Sequence, residues 1–289
     1  MSIREKGYHR WDGRLEERRR GWKPIARLGI RLAFKRKHFK FAFSLSFLPA
    51  FVFLAGIYLS ERLQDFEGIV RKGAMPLRVV PGYFLSYLTA DFVLFMTVVL
   101  LIFCAAGLVA DDLKHNALQL YFARPLAKRD YVLGKAAVVM FFVLLLTLVP
   151  GLLLVVFKIV FSGSFGLLRD HPGLPLAIVV YSAAAAVFFA SYSLLLSSLS
   201  RNRRTASFLI FGIYVFSDML AEILRGIFRT PYVGLVSVKT NLKLAAAPLF
   251  GTKPVLEVPS VYAFVVLAAV VAAGAWVMNR RIRGVTIIK

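Results

Sequence analysis

The amino-acid sequence predicts an all-α integral membrane protein with six transmembrane helices, and three observations support that prediction. Of its 289 residues, 59% are hydrophobic, whereas soluble domains contain roughly 45–50% apolar residues. The apolar residues are gathered into six runs, each close to the ~20 residues with which a helix crosses a ~30 Å hydrocarbon core. The Lys and Arg residues lie mostly between alternate runs, which is typical of multi-pass membrane proteins.

The first 40 residues form a basic region ahead of the first apolar run. Residues 1–23 are charged and polar, which predicts a flexible arm or one that lies on the surface. From Pro24 to His38 the pattern is helical, since Arg27, Arg31 and Lys35 recur every four residues and apolar side chains cover most of the other face. Such a helix before a span is typical of the membrane interface, with its bases toward anionic lipid. The alternative is a charged flank that only sets the topology.

The six runs define one transmembrane domain over residues 41–278, followed by a basic tail at 279–289. The predicted spans are Phe41–Leu59, Leu88–Ala110, Ala136–Phe161, Leu174–Leu199, Thr205–Leu224 and Val261–Met278. No cleavable signal peptide is expected, because the first apolar run is too long and ends without a small-residue cleavage site.

The distribution of charge predicts which loops are cytoplasmic. Segments 1–40, 111–135, 200–204 and 279–289 hold 26 of the 37 Lys and Arg residues. By the positive-inside rule these segments, and with them both termini, face the cytoplasm of a cell membrane. The same bias accounts for most of the formal net charge of +22, so nucleic acid is not expected as a partner.

Two polar stretches between the runs are candidates for function. Asp111–Lys135 is a polar island between the second and third spans, on the predicted cytoplasmic side, where a soluble partner could exert force on it. Arg225–Ser260 is the longest outer loop, and its portion Tyr232–Phe250 is apolar enough to predict a re-entrant or interfacial segment.

Three acidic residues fall within the outer parts of the predicted spans. They are Asp91, Asp218 and Glu222. Burying such a charge unpaired in a membrane costs at least about 2.5–3.5 kcal/mol, so these residues are functional candidates. One hypothesis is an outer vestibule that handles cargo or cations. The other is a helix end paired at the interface, since Glu222 and Arg225 are three residues apart on one helix face.

The sequence predicts no catalytic residue, no metal site and no cofactor on this chain. There is no GxxxxGK[ST] loop, because Gly134-Lys135 has Arg129 where the first Gly would stand and Ala136 follows, so ATP is not bound through such a loop. HExxH and GxSxG motifs are absent, and the four His residues lack the spacing of metal ligands.

The polar island resembles a segment of the permease subunits of ATP-binding-cassette (ABC) transporters of the second type, a mostly export-directed class. In that family the second span leads into an acidic start, a helix of pattern E-x-x-x-G-T-L-x-x-L-L, a turn R-P-[IL]-[SA]-[RK], and [YI]-[VL]-x-G-K before the third span. Asp112 stands where Glu is usual, the turn is the run from Arg124 to Arg129, and Tyr131–Lys135 leads into the third span. The departure is Asn116-Ala117, where Gly-Thr is usual.

The resemblance implies that a helix from Asp111 to Arg124 is a coupling helix seated in a groove of a separate ATPase subunit. The coupling residues it implies are Asp111, Asp112, Leu118, Leu120, Tyr121, Arg124, Pro125, Lys128 and Arg129. The helix Pro24–His38 would be the elbow helix. Two permeases, as a homodimer or heterodimer, would join two ATPases that hold ATP and Mg and drive alternating access.

Two other classes of function stay open on the sequence. A stand-alone secondary transporter or channel would have polar groups at the bilayer midplane and two related halves, and neither is visible. A membrane assembly or anchoring protein would move no cargo.

Overall fold

The structure, a computed structural model, describes residues 21–62, 79–122 and 126–282, and this part of the chain contains helices and no strands. The α-helices are α1 (Trp22–Phe34), α2 (Lys37–Leu45), α3 (Leu48–Arg62), α4 (Pro81–Leu88), α5 (Asp91–Cys104), α6 (Gly107–Lys114), α7 (Ala117–Phe122), α8 (Lys128–Ser162), α9 (Gly166–Asp170), α10 (Leu174–Leu199), α11 (Arg203–Phe228), α12 (Val238–Ala246) and α13 (Ser260–Arg281). The 3-10 helices Pro231–Val236 and Ala247–Phe250 flank α12.

The prediction of six spans is confirmed. Six stretches in the described residues are long and apolar enough to cross a membrane: Lys37–Arg62, Pro81–Lys114, Lys128–Ser162, Leu174–Leu199, Arg203–Phe228 and Ser260–Arg281. Each predicted span lies within one of them. Most of them extend further than predicted, because helices continue beyond the apolar runs into charged residues.

Helices α8 and α10 form the centre of the bundle and carry much of its buried surface. Phe142 and Leu146 of α8 and Ile178 and Phe189 of α10 are among the largest fully buried side chains. The hydroxyl of Tyr87 donates a hydrogen bond to the carbonyl of Leu146, at 2.9 Å, which ties the second span to α8. Burial of this polar group is tolerated because it has a partner.

Helix α1 runs beside the first turns of α8, with successive contacts from Ile25 against Gly134 to Phe34 against Phe142. A Cβ atom on Gly134 would lie 2.7 Å from the Ile25 Cβ, so only glycine permits this approach. Phe142 also contacts the rings of Phe39 and Phe43 of α2. The predicted helix Pro24–His38 is therefore two helices in one packed unit, since α1 ends at Phe34 and α2 begins at Lys37.

The exposed face of α1 carries two parallel stripes. Arg27, Arg31 and Lys35 form the basic one, and Leu28 and Leu32 form the apolar one beside it. This arrangement suits a helix at a membrane surface, where lipid headgroups and acyl chains meet. The interfacial position of α1 stays a prediction.

The first, fifth and sixth spans lie at the periphery of the single chain. Only 22%, 22% and 17% of the residues in their most apolar stretches are buried, compared with 56–61% in the second, third and fourth spans. Their exposed apolar faces would contact lipid or another subunit, because apolar side chains within a membrane are accommodated equally well by lipid tails and by neighbouring helices.

The predicted outer segment Tyr232–Phe250 is folded and packed among the spans. Its helix α12 and the flanking 3-10 helices contact α4, α10, α11 and α13, and Leu242, Leu244 and Ala245 are buried. Ser237 and Lys239 of this segment contact Asp218 of α11. Asp218 lies ten residues before the end of α11, a distance of about 15 Å along the helix axis.

Candidate coupling site and outer ion-pair cluster

The second span bends before it reaches the polar island, and a buried serine stabilises the bend. Between α5 and α6, the hydroxyl of Ser197 of α10 donates to the carbonyl of Ala106 at 2.8 Å and accepts from the N–H groups of Val109 and Ala110 at 3.1 and 3.0 Å. The N–H groups of a first helical turn have no partner within the helix. Ser197 therefore fixes the direction of α6 relative to α10.

Two arginines fasten the end of α5 to neighbouring elements. Arg36, just before α2, and Arg203, the first residue of α11, both donate to the carbonyl oxygen of Phe103, at 2.7 and 3.0 Å. Carbonyls in the last turn of a helix lack intrahelical donors, and positive charge is favourable there. The predicted cytoplasmic ends of the first, second and fifth spans are thus joined at the carbonyl oxygen of Phe103.

The prediction of one continuous helix from Asp111 to Arg124 is wrong. Helix α6 ends at Lys114, and α7 begins at Ala117. Between them Asn116 has φ = 52°, a left-handed conformation that ends a helix and that asparagine tolerates better than most residues. Glycine is the residue that the family pattern has here, and glycine adopts this conformation freely. Asp111 and Asp112 consequently belong to the end of the second span, and α7 is a separate helix.

Asp112 is held by two residues at the start of α8. Its Oδ2 accepts a hydrogen bond from the hydroxyl of Tyr131 at 2.7 Å and forms an ion pair with Lys135 Nζ, also at 2.7 Å. The side chains of Lys135 and Asp112 are only 9% and 15% exposed. Buried charges require such pairing, since the loss of either partner leaves the other uncompensated.

The ring of Tyr121 connects α7 to the same pair of helices. It lies 5.3 Å from the ring of Tyr131 in an edge-to-face contact, and Lys135 Nζ is 5.7 Å from its centroid. Burial, together with the charge of Asp112, raises the pKa of Tyr121, so its hydroxyl stays neutral. Leu118 of α7 packs on a buried cluster that includes Val109 and Tyr131.

We call Asp112, Tyr121, Tyr131 and Lys135 the coupling cluster. It contains two of the predicted coupling residues, Asp112 and Tyr121, and Leu118 lies beside it.

The other predicted coupling residues lie outside this cluster. Lys128 and Arg129 are exposed at the start of α8. Asp111 lies beside Gly107 and Arg203. Arg124, Pro125 and the side chain of Leu120 are outside the described residues.

Tyr131 and Lys135 belong to the family pattern described above, but the sequence alone did not predict a role for either residue. A usable signal was present, because Lys135 is the last charge before a long apolar run and Asp112 follows the apolar run of the adjacent span. Two opposite charges at the same end of adjacent spans can pair across the helices.

A second polar cluster lies at the predicted outer side and includes two of the three predicted outer acids. Lys239 Nζ is 2.7 Å from Asp218 Oδ2 and 3.7 Å from Asp91 Oδ1, and Lys243 Nζ is 2.6 Å from Asp91 Oδ1. Asp218 also accepts a hydrogen bond from the hydroxyl of Ser237 at 2.9 Å. We call these five residues the outer ion-pair cluster; it joins α5, α11 and the α12 segment.

Glu222 pairs with Arg225 at 3.0 Å, as the helix-end hypothesis predicts. Asp91 is paired with two lysines, yet it keeps 67% of its side chain exposed although it lies within the second span. An exposed carboxylate inside a span is incompatible with lipid contact and requires water or another protein surface. Whether Asp91 and its neighbours line a vestibule stays a prediction.

Comparison with known protein families identifies the chain. A family model described as ABC-2 family transporter protein matches residues 33–247, which contain the first five spans, the coupling cluster and all of α12. A search of curated proteins finds no match. Because the family match covers well over half of the sequence, the chain belongs to the ABC-2 family of transporter proteins, as a membrane-spanning permease.

Proposed function

We propose that the chain is the permease subunit of an ATP-driven exporter, and that a separate ATPase subunit drives it by pushing on α7. Family membership supports membrane transport. The absence of a GxxxxGK[ST] loop from the sequence supports an ATPase in another subunit. Export, rather than import, rests on the resemblance of the polar island to the export-directed class.

The observation that carries the proposal is the coupling cluster. A helix of six residues cannot transmit force unless it is fastened to larger elements. Tyr121 packs on Tyr131 of α8, and Asp112 of α6 is bonded to Tyr131 and Lys135. A push on α7 therefore reaches α8, whose 35 residues span about 50 Å, without passing through a flexible joint.

Movement would spread from the coupling cluster to the rest of the inner side. Helix α6 is bonded to α10 through Ser197, and α5 is bonded to α11 through Arg203 and Phe103. Rigid-body tilting of packed helices is a common way in which transporters switch states. These contacts make the inner ends of the second to fifth spans a single mechanical unit.

The surface that would meet the ATPase is the turn between α6 and α7. Lys114, His115 and Asn116 are exposed there, and the ring Nδ1 of His115 lies 2.9 Å from the carbonyl oxygen of Asp111. In the proposed assembly two such permeases and two ATPases form the complex in the cell membrane, with the termini in the cytoplasm and ATP and Mg bound by the ATPases.

The conformation of Asn116 provides a test with a matched control. Asn116→Val is expected to uncouple ATP hydrolysis from transport, because a β-branched residue at φ = 52° is strained and the turn would change. Asn116→Gly accepts the same conformation and should keep coupling close to that of the unchanged protein. The measurement is transport per ATP hydrolysed, in vesicles that contain the permease and its ATPase.

Equal coupling in the two variants would contradict the proposal, provided that both assemble with the ATPase. The unaltered chain alone, purified and reconstituted, should show no proton- or sodium-driven uptake. Such uptake would instead favour a secondary transporter.

A further inference from the structure

A groove of about 330 Å³ lies between the first turns of α8 and the last turns of α13. Its wall is mainly apolar and is formed by Val132 and Leu133 from α8 and by Ala275, Met278 and Ile282 from α13. Leu133 is 55% exposed, so the groove opens toward the surroundings of the bundle and not into its core.

Positive charge surrounds the mouth of the groove. Lys128 and Arg129 line it and are exposed, and Asn279 adds a neutral polar group. None of the eight lining residues, all of which belong to the described part of the chain, is acidic. The nearest acid in the same turn of α8, Asp130, lies against Gly21 on the α1 side of the helix. The groove therefore has a basic rim and no internal counterion.

The groove lies at the level where two apolar runs end. The apolar run of α8 begins after Lys135, and that of α13 ends at Met278. Trp276 is 56% exposed, and the guanidinium carbon of Arg280 lies 4.0 Å from its ring centroid. Exposed tryptophan beside arginine is typical of a membrane–water interface, and the positive-inside rule assigns this interface to the cytoplasmic leaflet.

We propose that this groove binds an anionic phospholipid of the inner leaflet. The phosphate would lie against Lys128 and Arg129, and an acyl chain would follow the apolar wall past Leu133 and Ala275. Basic pockets between transmembrane helices on the cytoplasmic side recognise anionic headgroups in this way. The proposal gives Lys128 and Arg129 a role other than the ATPase contact that the family resemblance implied.

The test measures lipid retained by the full-length chain in mild detergent. The chain is titrated with phosphatidylglycerol and, separately, with zwitterionic phosphatidylcholine, and bound lipid is counted by native mass spectrometry. The Lys128→Gln/Arg129→Gln double variant is expected to bind phosphatidylglycerol roughly 30-fold more weakly, because both cations that attract the phosphate are removed. Lys37→Gln/Lys40→Gln removes the same charge from exposed residues at the inner end of the first span and should leave this binding unchanged.

A second variant separates shape from charge. Ala275→Phe fills the groove at an exposed position without altering any charge, and it should also abolish the tightly held phosphatidylglycerol. If the double variant does not purify as a folded protein, phosphatidylglycerol binding by Ala275→Phe tests the proposal by itself. The assignment is overturned if phosphatidylcholine binds as tightly as phosphatidylglycerol. It is also overturned if either groove variant binds as much phosphatidylglycerol as the Lys37→Gln/Lys40→Gln control. The groove would then be a contact site for a protein segment.

Discussion

Lys135→Met is expected to destabilise the protein by about 3–5 kcal/mol, because it removes one partner of a buried ion pair. The carboxylate of Asp112, only 15% exposed, would keep the hydroxyl of Tyr131 but lose its compensating charge. The cation that lies near the rings of Tyr121 and Tyr131 would be lost at the same time. The measurement is the thermal unfolding midpoint of the purified chain in detergent.

Two further variants make this prediction specific. Lys114→Met removes a lysine that is exposed at the end of α6 and should change the midpoint little. The double variant Asp112→Asn/Lys135→Met carries no unpaired charge and should regain a large part of the lost stability, since residues in contact have non-additive effects. If Lys135→Met is no less stable than Lys114→Met, the coupling cluster does not hold α6 to α8.

The burial of Asp112 also changes how coupling should be probed. Charge reversal at Asp112 would place a positive side chain against Lys135 in a site with little solvent, and the fold around α7 would suffer. Such a variant would lose coupling for a structural reason. The Asn116 variants are a cleaner probe, because Asn116 is exposed and only its backbone conformation is demanding.

Lys239→Met is expected to release α12 from its position between the spans. Lys239 contacts Asp218 at 2.7 Å and also reaches Asp91, and a hydrogen bond to a charged group contributes about 1.5–3 kcal/mol. Ser237 would remain as a partner of Asp218, and Lys243 as a partner of Asp91. Both acids would thus be left with less neighbouring positive charge.

Thiol labelling measures this release directly. A cysteine at the buried Leu242 should react slowly in the otherwise unchanged chain and many times faster when Lys239→Met is added. The native Cys104 is buried and contributes little background. Lys253→Met alters an exposed lysine of the same outer loop and should not accelerate labelling. Equal labelling rates in the Lys239 and Lys253 variants would show that the outer ion-pair cluster does not hold α12.

The spans were predictable because each depends on its own local composition. A run of about twenty apolar residues predicts a membrane helix whatever surrounds it, and Leu174–Leu199 was predicted to the residue. The ends were less predictable where charge is buried. Lys135 closes the polar island in the sequence, yet it lies within α8 because Asp112 and Tyr131 compensate its charge.

The break in the predicted coupling helix illustrates a different limit. Helix propensity is a weak signal over a few residues, and the family resemblance implied one helix from Asp111 to Arg124. Asn116 departs from the Gly-Thr of the family pattern, and its backbone conformation, with positive φ, explains why glycine or asparagine suits this position.

Contacts between distant parts of the chain could not be predicted from one sequence. Ser197 is a serine in an apolar helix, and it gives no sign that it bonds to backbone groups 87 and 88 residues away. Arg36 and Arg203 look like ordinary positive charges at the inner ends of spans, and their shared acceptor, Phe103, is an apolar residue. Only the packed structure brings these groups together.

Site-specific crosslinking between the α6–α7 turn and the ATPase tests the central claim most directly. A cysteine at His115, which is exposed, should crosslink to the ATPase that copurifies with the chain, and ATP binding should change the yield. A cysteine at Arg229, exposed beyond the predicted outer end of α11, should give no such product. A crosslink from position 229, or none from position 115 in an active complex, would contradict the account.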